Sequence, residues 1–146
     1  MKLVAPVSLV LRQKSRDIWS IRPDATVYEA IEILADKGIG ALLVMEGQKL
    51  AGVLSERDYA RKVILMGRTS REVLVREIMS HPVICVHPEF TIEQTMSLMT
   101  DKHVRHLPVV VEETVVGVIS IGDVVRSIID DNEFHIQQLT NYITDR

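Results

Sequence analysis

Two short stretches of the chain combine a hydroxyl and a carboxylate at a spacing that suits nucleotide recognition. They run from Gly52 to Asp58 and from Gly117 to Asp123, each reading glycine, two apolar residues, serine, two further residues and aspartate. This pattern predicts a buried strand followed by a helix start, where backbone N–H groups and the helix dipole attract anions such as phosphate. An aspartate one turn into that helix can accept hydrogen bonds from both hydroxyls of a ribose.

The same stretches also fit an ordinary helix cap, because a Ser-x-x-Asp sequence can close a capping box at a helix start. Thr26 and Thr91 begin predicted helices with that kind of cap. A single copy would favour the cap over a ligand site. Two copies at one offset, at Ser55 and Ser120, weaken that interpretation and leave both alternatives open.

The two stretches belong to a longer internal repeat. Residues match at an offset of 65 positions without a gap, and the identical pairs include Pro23 with Pro88, Thr26 with Thr91, Asp36 with Asp101, Leu42 with Leu107 and Arg61 with Arg126. Upstream, Val7–Leu11 resembles Val75–Met79 at an offset of 68, so the first copy carries three extra residues within 12–20. Two such copies usually pack face to face about a pseudo-twofold axis, and a pocket on that axis would draw on both halves.

Each copy predicts the order helix, short strand, helix, hairpin and helix, the last helix opening near Glu56 or near Ile121. The predicted hairpin strands are Ala41–Met45 with Leu50–Leu54, and Leu107–Val111 with Val115–Ile119. This order predicts an α+β fold of two pseudo-twofold-related repeats, each a short sheet with helices packed on one face. The expected domain boundaries are 1–66 for the first repeat with its N-terminal helix, 67–72 for a linker, 73–130 for the second repeat and 131–146 for a C-terminal helix.

The C-terminal segment predicts an amphipathic helix from Ile128 to Ile143. Its apolar positions recur at steps of seven, three and four, at Ile129, Ile136, Leu139 and Ile143. Such a helix either packs on its own domain or pairs with a second subunit. We favour the second arrangement, a homodimer, because a pair of repeats forms a flat module whose two faces a second subunit can cover.

Length and composition fit one compact chain rather than a nucleic-acid-binding or membrane protein. The 146 residues can bury a sizeable core, and with 47% apolar but only 4% aromatic residues that core is aliphatic. The net charge of −3, without a block of like charge, gives no reason to expect nucleic acid. No apolar run approaches the roughly 18 residues that a membrane helix needs.

The expected compartment is the cytoplasm. The lone Cys85 cannot form an internal disulfide, which fits a reducing environment, and we expect it to act as a small buried hydrophobe. The apolar start from Leu3 to Leu11 is followed by basic residues, whereas a signal peptide carries them in front. An organellar transit peptide is the weaker alternative, since no acidic residue precedes Asp17.

These motifs resemble the CBS domain family, named after cystathionine β-synthase, and specifically a tandem pair, a Bateman module of the small stand-alone bacterial type. The resemblance rests on the two Gly-h-h-Ser-x-x-Asp stretches, the run His103–Val110 and the Pro-x-x-Thr helix starts at Pro23 and Pro88, and it covers nearly the whole chain. It implies a non-catalytic module that binds an adenosine ligand, such as AMP, ADP, ATP, S-adenosylmethionine or NAD(H), in a cleft between repeats. It also implies a flat dimer that reports ligand occupancy to a regulated partner protein.

The resemblance assigns ligand contacts to residues of both copies. It implies that Asp58 and Asp123 hold the ribose hydroxyls, with Ser55 and Ser120 near the ribose or phosphate. Main-chain groups would meet the adenine at Ser20, Ile39 and Gly40 in one half and at Ser80, Cys85 and Val104 in the other. Each adenine set would serve the site whose aspartate comes from the opposite copy.

The copies differ where the phosphate is expected. Arg105, His106 and Pro108 of the second copy stand in place of Gly40, Ala41 and Leu43 of the first, and Arg57 of the first stands in place of Gly122. An arginine suits a phosphate, whereas a glycine leaves room for a larger ligand. His106 and Lys14 are further candidates for phosphate contacts. We therefore predict two unequal sites.

Catalysis and metal binding find no support in the sequence. There is no nucleophile–base pattern, no Walker loop and no Gly-x-Gly-x-x-Gly fingerprint, so no catalytic cofactor is expected. His103 and His106 stand three positions apart but precede a strand, and no further ligands cluster with them in sequence. The alternative to a nucleotide sensor is a ligand-free assembly module whose Ser-x-x-Asp stretches are only helix caps.

Overall fold

The computed structural model describes residues 5–14 and 17–144. The helices are α1 (Val7–Arg12), α2 (Val27–Lys37), α3 (Glu56–Tyr59), α4 (Val75–Ile78), α5 (Ile92–Lys102) and α6 (Ile121–Thr144), with a π-helical turn at Ala60–Ile64. The strands are β1 (Ser20–Ile21), β2 (Ala41–Glu46), β3 (Lys49–Ser55), β4 (His106–Val111) and β5 (Thr114–Ser120). The predicted α+β class is confirmed, with a helix, a hairpin and a further helix occurring twice.

The four predicted hairpin strands are confirmed, each to within one residue at either end. Strands β2 and β3 are antiparallel, with Ala41 opposite Ser55, and β1 pairs in parallel with β2. Strands β4 and β5 form the second sheet. The turn between β2 and β3 contains Gly47 at φ 62°, a backbone conformation that favours glycine. The hairpins therefore end where each Ser-x-x-Asp stretch begins.

The short strand predicted before α5 is reduced to a single bridge between Val86 and Val109. The Val86 N–H donates to the Pro108 carbonyl, and the Val110 N–H donates to the Val86 carbonyl. In the first copy the Leu43 N–H donates to the Trp19 carbonyl, whereas the equivalent residue of the second copy is Pro108, which has no N–H to extend the ladder. The Nδ1 of His87 lies 3.0 Å from the Val110 oxygen.

The predicted helix starts at Thr26 and Thr91 are confirmed. The Thr26 hydroxyl accepts from the Glu29 N–H at 3.2 Å, and the Thr91 hydroxyl accepts from the Gln94 N–H at 3.0 Å. Only the second start closes a full capping box, because the Gln94 side chain also accepts from the Thr91 N–H at 2.9 Å. These caps begin α2 and α5 at equivalent positions of the two copies.

Packing groups the described residues into two compact units. Unit 1 draws its residues from 1–16, 86–110 and 117–146, and unit 2 draws its residues from 17–85 and 111–116. The helix that precedes the first copy in sequence therefore belongs with elements of the second copy. The helix that precedes the second copy, α4, belongs with elements of the first.

In unit 1, backbone hydrogen bonds join the start of α1 to the segment before α5. The Val7 N–H donates to the Phe90 carbonyl at 2.8 Å, and the Ile92 N–H donates to the Ala5 carbonyl at 2.9 Å. The aliphatic core of this unit contains Val7, Val10, Val86, Ile92, Met99, Leu107, Val109, Ile119 and Val124. Helix α1 thus contributes to a core made mostly by the second copy.

In unit 2, the segment around α4 bonds to the start of α2 in the same way. The Val27 N–H donates to the Val73 carbonyl at 2.9 Å, and the Val75 N–H donates to the Ala25 carbonyl at 2.8 Å. The core of this unit contains Ile21, Val27, Ala30, Leu34, Leu42, Val44, Leu54, Val63, Val73, Val75 and Ile78. Its aliphatic character follows the composition, since none of these residues is aromatic.

The last helix, α6, is continuous from Ile121 to Thr144, where the sequence predicted a helix start near Ile121 and a separate tail helix from Ile128. After Gly122 no glycine or proline interrupts it, and its 24 residues span about 36 Å. Large apolar side chains remain exposed along it, at Val125, Ile129, Phe134, Ile136, Leu139 and Ile143. Within the described residues, no helix combines the length and apolar character needed to cross a bilayer.

Candidate functional site

In unit 2, the first Ser-x-x-Asp stretch forms a complete capping box at the start of α3. The Asp58 N–H donates to the Ser55 hydroxyl at 3.2 Å, and Asp58 Oδ2 accepts from the Ser55 N–H at 2.9 Å. The Ser55 hydroxyl also lies 3.0 Å from Asp58 Oδ2. Only 12% of the Asp58 side chain is exposed. The cap therefore fixes this carboxylate at the end of β3.

The residues that open β2 lie next to this cap. The Glu56 N–H donates to the Gly40 carbonyl at 3.1 Å, and Ala41 pairs with Ser55 across the hairpin. The structure thus brings together four of the predicted site residues of the first copy: Gly40, Ala41, Ser55 and Asp58.

A lysine that the sequence analysis did not single out completes this group. Lys62 Nζ lies 3.2 Å from Asp58 Oδ1 and donates to the Ile78 carbonyl at 2.9 Å. Its side chain is 46% exposed. The signal was present in the sequence, because residues four apart on a helix face the same side.

In unit 1, the second Ser-x-x-Asp stretch forms the equivalent cap at the start of α6. The Ser120 N–H donates to Asp123 Oδ2 at 2.9 Å, and the Asp123 N–H donates to the Ser120 hydroxyl at 3.1 Å. The Ile121 N–H donates to the Arg105 carbonyl at 2.8 Å, as Glu56 does to Gly40 in unit 2. The internal repeat is therefore preserved at the level of single hydrogen bonds.

Lys14 binds Asp123 directly. Lys14 Nζ lies 2.6 Å from Asp123 Oδ2 and donates to the Val118 carbonyl at 2.9 Å. Arg126 Nη1 is 3.7 Å from the other carboxylate oxygen, Asp123 Oδ1. The sequence placed Lys14 near a phosphate, whereas the structure gives its ammonium a carboxylate partner. Sequence reasoning missed the approach of Arg126, although its position three residues after Asp123 is a helical pair spacing.

The electrostatics of Asp123 favour its charged form. Burial acts to raise the pKa of this carboxyl group, but the hydrogen bonds from Lys14 and from the Ser120 N–H, together with the Lys14 charge, hold the pKa below its ordinary value. Only 9% of the Asp123 side chain is exposed. A buried carboxylate of this kind stays ionised because its partners compensate for lost hydration.

The other predicted residues of unit 2 occupy varied surroundings. Ser20 is exposed in β1, Ile39 is half-buried between α2 and β2, and Arg57 is half-buried in α3. The exposed Ser80 exchanges two backbone hydrogen bonds with the residue two positions before Ser55. Cys85 is half-buried, and this burial raises the pKa of its thiol.

The remaining predicted residues of unit 1 lie around β4 and the start of α6. The half-buried Val104 follows α5, as Ile39 follows α2, and its N–H bonds back into the helix. Arg105 is exposed, His106 is half-buried and Pro108 is buried. Gly122 is exposed in the first turn of α6. The structure therefore joins Lys14, Ser120 and Asp123 by hydrogen bonds, while the Arg105 carbonyl accepts from the neighbouring Ile121 N–H.

Each capped helix start offers a carboxylate that accepts hydrogen bonds and an ammonium group that can pair with an anion. Among residues 5–14 and 17–144, no group of three or more His, Cys, Asp or Glu side chains could hold a metal ion. Both arrangements can recognise polar groups through hydrogen bonds and charge.

Comparison with known proteins places this arrangement in a family. The family model described as CBS domain matches twice, at residues 12–64 and 75–130. The CBS domain-containing protein CBSX3, mitochondrial, of Arabidopsis thaliana is 38% identical over 94% of this chain and 71% of its own length. A CBS-domain protein from Burkholderia ambifaria MC40-6 superposes with a TM-score of 0.85 at 45% identity, covering 87% of this chain and 96% of that chain.

A third relative is much longer than this chain. The inosine-5'-monophosphate dehydrogenase of Korarchaeum cryptofilum is 31% identical over 75% of this chain, and the match spans 22% of that protein. The two copies share a Gly-led strand and a capped aspartate at the following helix, and each copy matches the same family model. The chain therefore belongs to the CBS domain family, as a tandem pair of CBS domains.

Proposed function

We propose that this domain pair is a non-catalytic regulatory module that binds an adenine nucleotide (AMP, ADP, ATP or NAD(H)) and passes its ligand state to a partner protein. One observation carries the proposal. A capped aspartate with a lysine partner recurs at the starts of α3 and α6, and its side chain is 12% exposed at Asp58 and 9% exposed at Asp123. The single cysteine of the chain also fits work in a reducing compartment such as the cytoplasm.

Membership of the family supports this proposal. Pairs of CBS domains are commonly regulatory and bind adenine nucleotides. Stand-alone CBS-domain proteins are typically non-catalytic. A ligand regulates such a module only to the extent that it binds one conformation more tightly than another.

In the proposed complex, Asp58 and Asp123 accept hydrogen bonds from ribose hydroxyls. Two hydroxyls can bond one carboxylate, and both aspartates are already oriented by their serine caps. Main-chain groups of the segments before β2 and β4 bind the adenine. Backbone N–H and carbonyl groups can form these hydrogen bonds without a charged side chain. The phosphates pair with Lys14, which contacts Asp123, and with the side chain of the exposed Arg105, which directly precedes β4.

The two sites differ in ways that support unequal affinities. Asp123 is bound by Lys14, a residue 109 positions away in sequence, whereas Asp58 is bound by Lys62 from the same helical segment. Gly40 of the first copy is replaced by Arg105 in the second. Calorimetry with AMP should therefore resolve two classes of site.

The proposal is tested by a thermal-shift panel of AMP, ADP, ATP, NAD, NADH and S-adenosylmethionine, followed by calorimetry. A ligand at 100 times its dissociation constant adds about 2.7 kcal/mol of stability. Asp58→Asn and Asp123→Asn should each abolish binding at one site. These variants keep an oxygen that can accept the cap's N–H, so the helix start is retained.

The matched control is Gln94→Ala, which breaks another capping box of unit 1 at a place without a proposed ligand contact. This variant should lose stability but keep nucleotide affinity. Unchanged affinity in both aspartate variants would show that neither carboxylate holds the ribose. No stabilisation by any nucleotide of the panel would contradict the sensor proposal as a whole.

Assembly is a second candidate function, favoured by the exposed apolar face of α6. CBS-domain proteins form oligomers, and we propose that this chain forms a homodimer through α6. Ile136, Leu139 and Ile143 are 62–68% exposed along this helix. A pure assembly module would dimerise through α6 and show no stabilisation by nucleotides.

A further inference from the structure

Lys14 holds an unusual position, because it joins the N-terminal segment to the proposed nucleotide site of unit 1. Its ammonium contacts Asp123 Oδ2 at 2.6 Å and the Val118 carbonyl at 2.9 Å. The Lys14 side chain is 32% exposed and that of Asp123 is 9% exposed. An ion pair with one well-buried partner is screened by salt less than a surface pair.

The equivalent place in unit 2 is filled by backbone. Val53 corresponds to Val118, and its carbonyl accepts from the Ser80 N–H at 2.9 Å. Ser80 follows α4 by two residues, whereas the segment after α1 carries three extra residues and diverges there. The Lys14 ammonium therefore takes, at Val118, the place that a main-chain N–H takes at Val53.

Asp58 has an ammonium partner of a different kind. Lys62 lies 3.2 Å from Asp58 Oδ1, belongs to the same helical segment, and is 46% exposed. Lys62 contacts Oδ1 of Asp58, whereas Oδ2 accepts the hydrogen bonds of the Ser55 cap. At Asp123, by contrast, Lys14 and the Ser120 N–H share one oxygen, Oδ2.

We infer that Lys14 makes the Asp123 site selective for phosphorylated nucleotides over nucleosides; this inference rests on the proposed function. Each carboxylate oxygen has two lone pairs, and both of those on Asp123 Oδ2 already accept hydrogen bonds, from the Ser120 N–H and from Lys14. A ribose that donates one hydroxyl to each carboxylate oxygen therefore competes with Lys14 at Oδ2. An adenosine that displaces the ammonium leaves a half-buried charge without an anion, which is costly.

A nucleotide brings its own anion to the displaced lysine. The Lys14 ammonium sits on a flexible four-carbon stem, so it can turn from the carboxylate to a phosphate while staying close to Asp123. Asp123 then accepts hydrogen bonds from the ribose hydroxyls, and the phosphate of the ligand neutralises the charge of Lys14. Lys14 is thus a specificity-determining residue: it raises the affinity for a ligand with a phosphate and lowers the affinity for a ligand without one.

The inference is tested by calorimetry with adenosine and AMP on the full chain carrying Asp58→Asn, which leaves the Asp123 site alone. Lys14→Met keeps the length and removes the charge. We expect it to tighten adenosine binding and weaken AMP binding, so that the preference for AMP falls by about tenfold or more. Lys62→Met in the Asp123→Asn chain is the matched control and should shift the preference much less.

The outcomes separate the inference from the proposed function. An equal change of both affinities in the Lys14→Met chain would mean that the lysine acts only on structure, and would overturn the inference while adenosine and AMP still bind. Failure of the parent chain to bind either ligand would instead refute the nucleotide site. Lys14→Gln, which keeps a donor for the Val118 carbonyl without the charge, gives the same test should the methionine variant not fold.

Discussion

The Met79 thioether lies directly over Gly52: a Cβ on Gly52 would come within 2.6 Å of Met79 Sδ and within 3.1 Å of the Ser80 carbonyl oxygen. We expect Gly52→Ala to lower the free energy of unfolding by about 1–3 kcal/mol. The methionine side chain can move, but the Ser80 carbonyl is held by the Val53 N–H at 3.1 Å. Urea denaturation measures the loss.

Gly122→Ala is the matched control for that substitution. Among the described residues, a Cβ at Gly122 would meet only the Ser120 hydroxyl, at 3.6 Å, and Gly122 lies in the first turn of α6. Alanine is the better helix former, so this variant should gain about 0.5–1 kcal/mol. A Gly52→Ala protein that matches the wild type in stability would show that the Met79 contact imposes no constraint.

Removal of either serine cap should destabilise the protein. Ser55→Ala and Ser120→Ala each leave the N–H of the capping aspartate without its hydroxyl partner, and each should cost about 1 kcal/mol. The corresponding threonine variants keep the hydroxyl and should retain most of the stability. If the alanine variants had the same urea midpoint as the wild type, the serine caps would not contribute to stability.

The stability of the protein should depend on pH through Asp123. The folded-state pKa of this group lies below the ordinary value of about 3.9, so the unfolded chain binds more protons in acid. Its contribution is present in full above about pH 5 and is lost as the pH falls through the folded pKa. Unfolding free energies measured from pH 7 to pH 3 should fall less steeply for Asp123→Asn, and an identical profile for both proteins would refute this role.

Charged substitutions on the exposed face of α6 should prevent dimerisation. Ile136 and Leu139 are 63% and 62% exposed, and a stable interface of about 1,200 Å² or more needs such apolar side chains at its centre. Ile136→Glu and Leu139→Glu should each give a monomer in sedimentation velocity, with the helical circular dichroism of the core retained. Gln137→Glu adds the same charge beside this face and should stay dimeric; a wild-type monomer would contradict the proposed dimer.

Local features of this fold could be predicted from the sequence because they depend on residues within about four positions of one another. The caps at Thr91 and Ser55 and the hairpin strands are of this kind. Lys62 had the same local signal, four residues after Asp58, and could have been assigned to it. The fold class followed from the order of these elements.

Long-range features had no such signal. Lys14 and Asp123 are 109 positions apart, and only the packing of α1 in unit 1 brings them together. The single bridge at Val86 follows from the absent N–H of Pro108, which replaces Leu43 of the first copy, a detail that matters only once the pairing with β4 is known. The ribose and adenine contacts remain predictions, because they describe a ligand rather than the chain alone.

The grouping of α1 with the second copy has a consequence for how the protein is made. A ribosome completes α1 first, yet Phe90 and Ile92, which bond to its start, emerge some eighty residues later. Helix α4, by contrast, leaves the tunnel when its partners Ala25 and Val27 are already outside. Most of unit 2 can therefore fold during translation. Helix α1 can pack into a core only after the second copy has been synthesised.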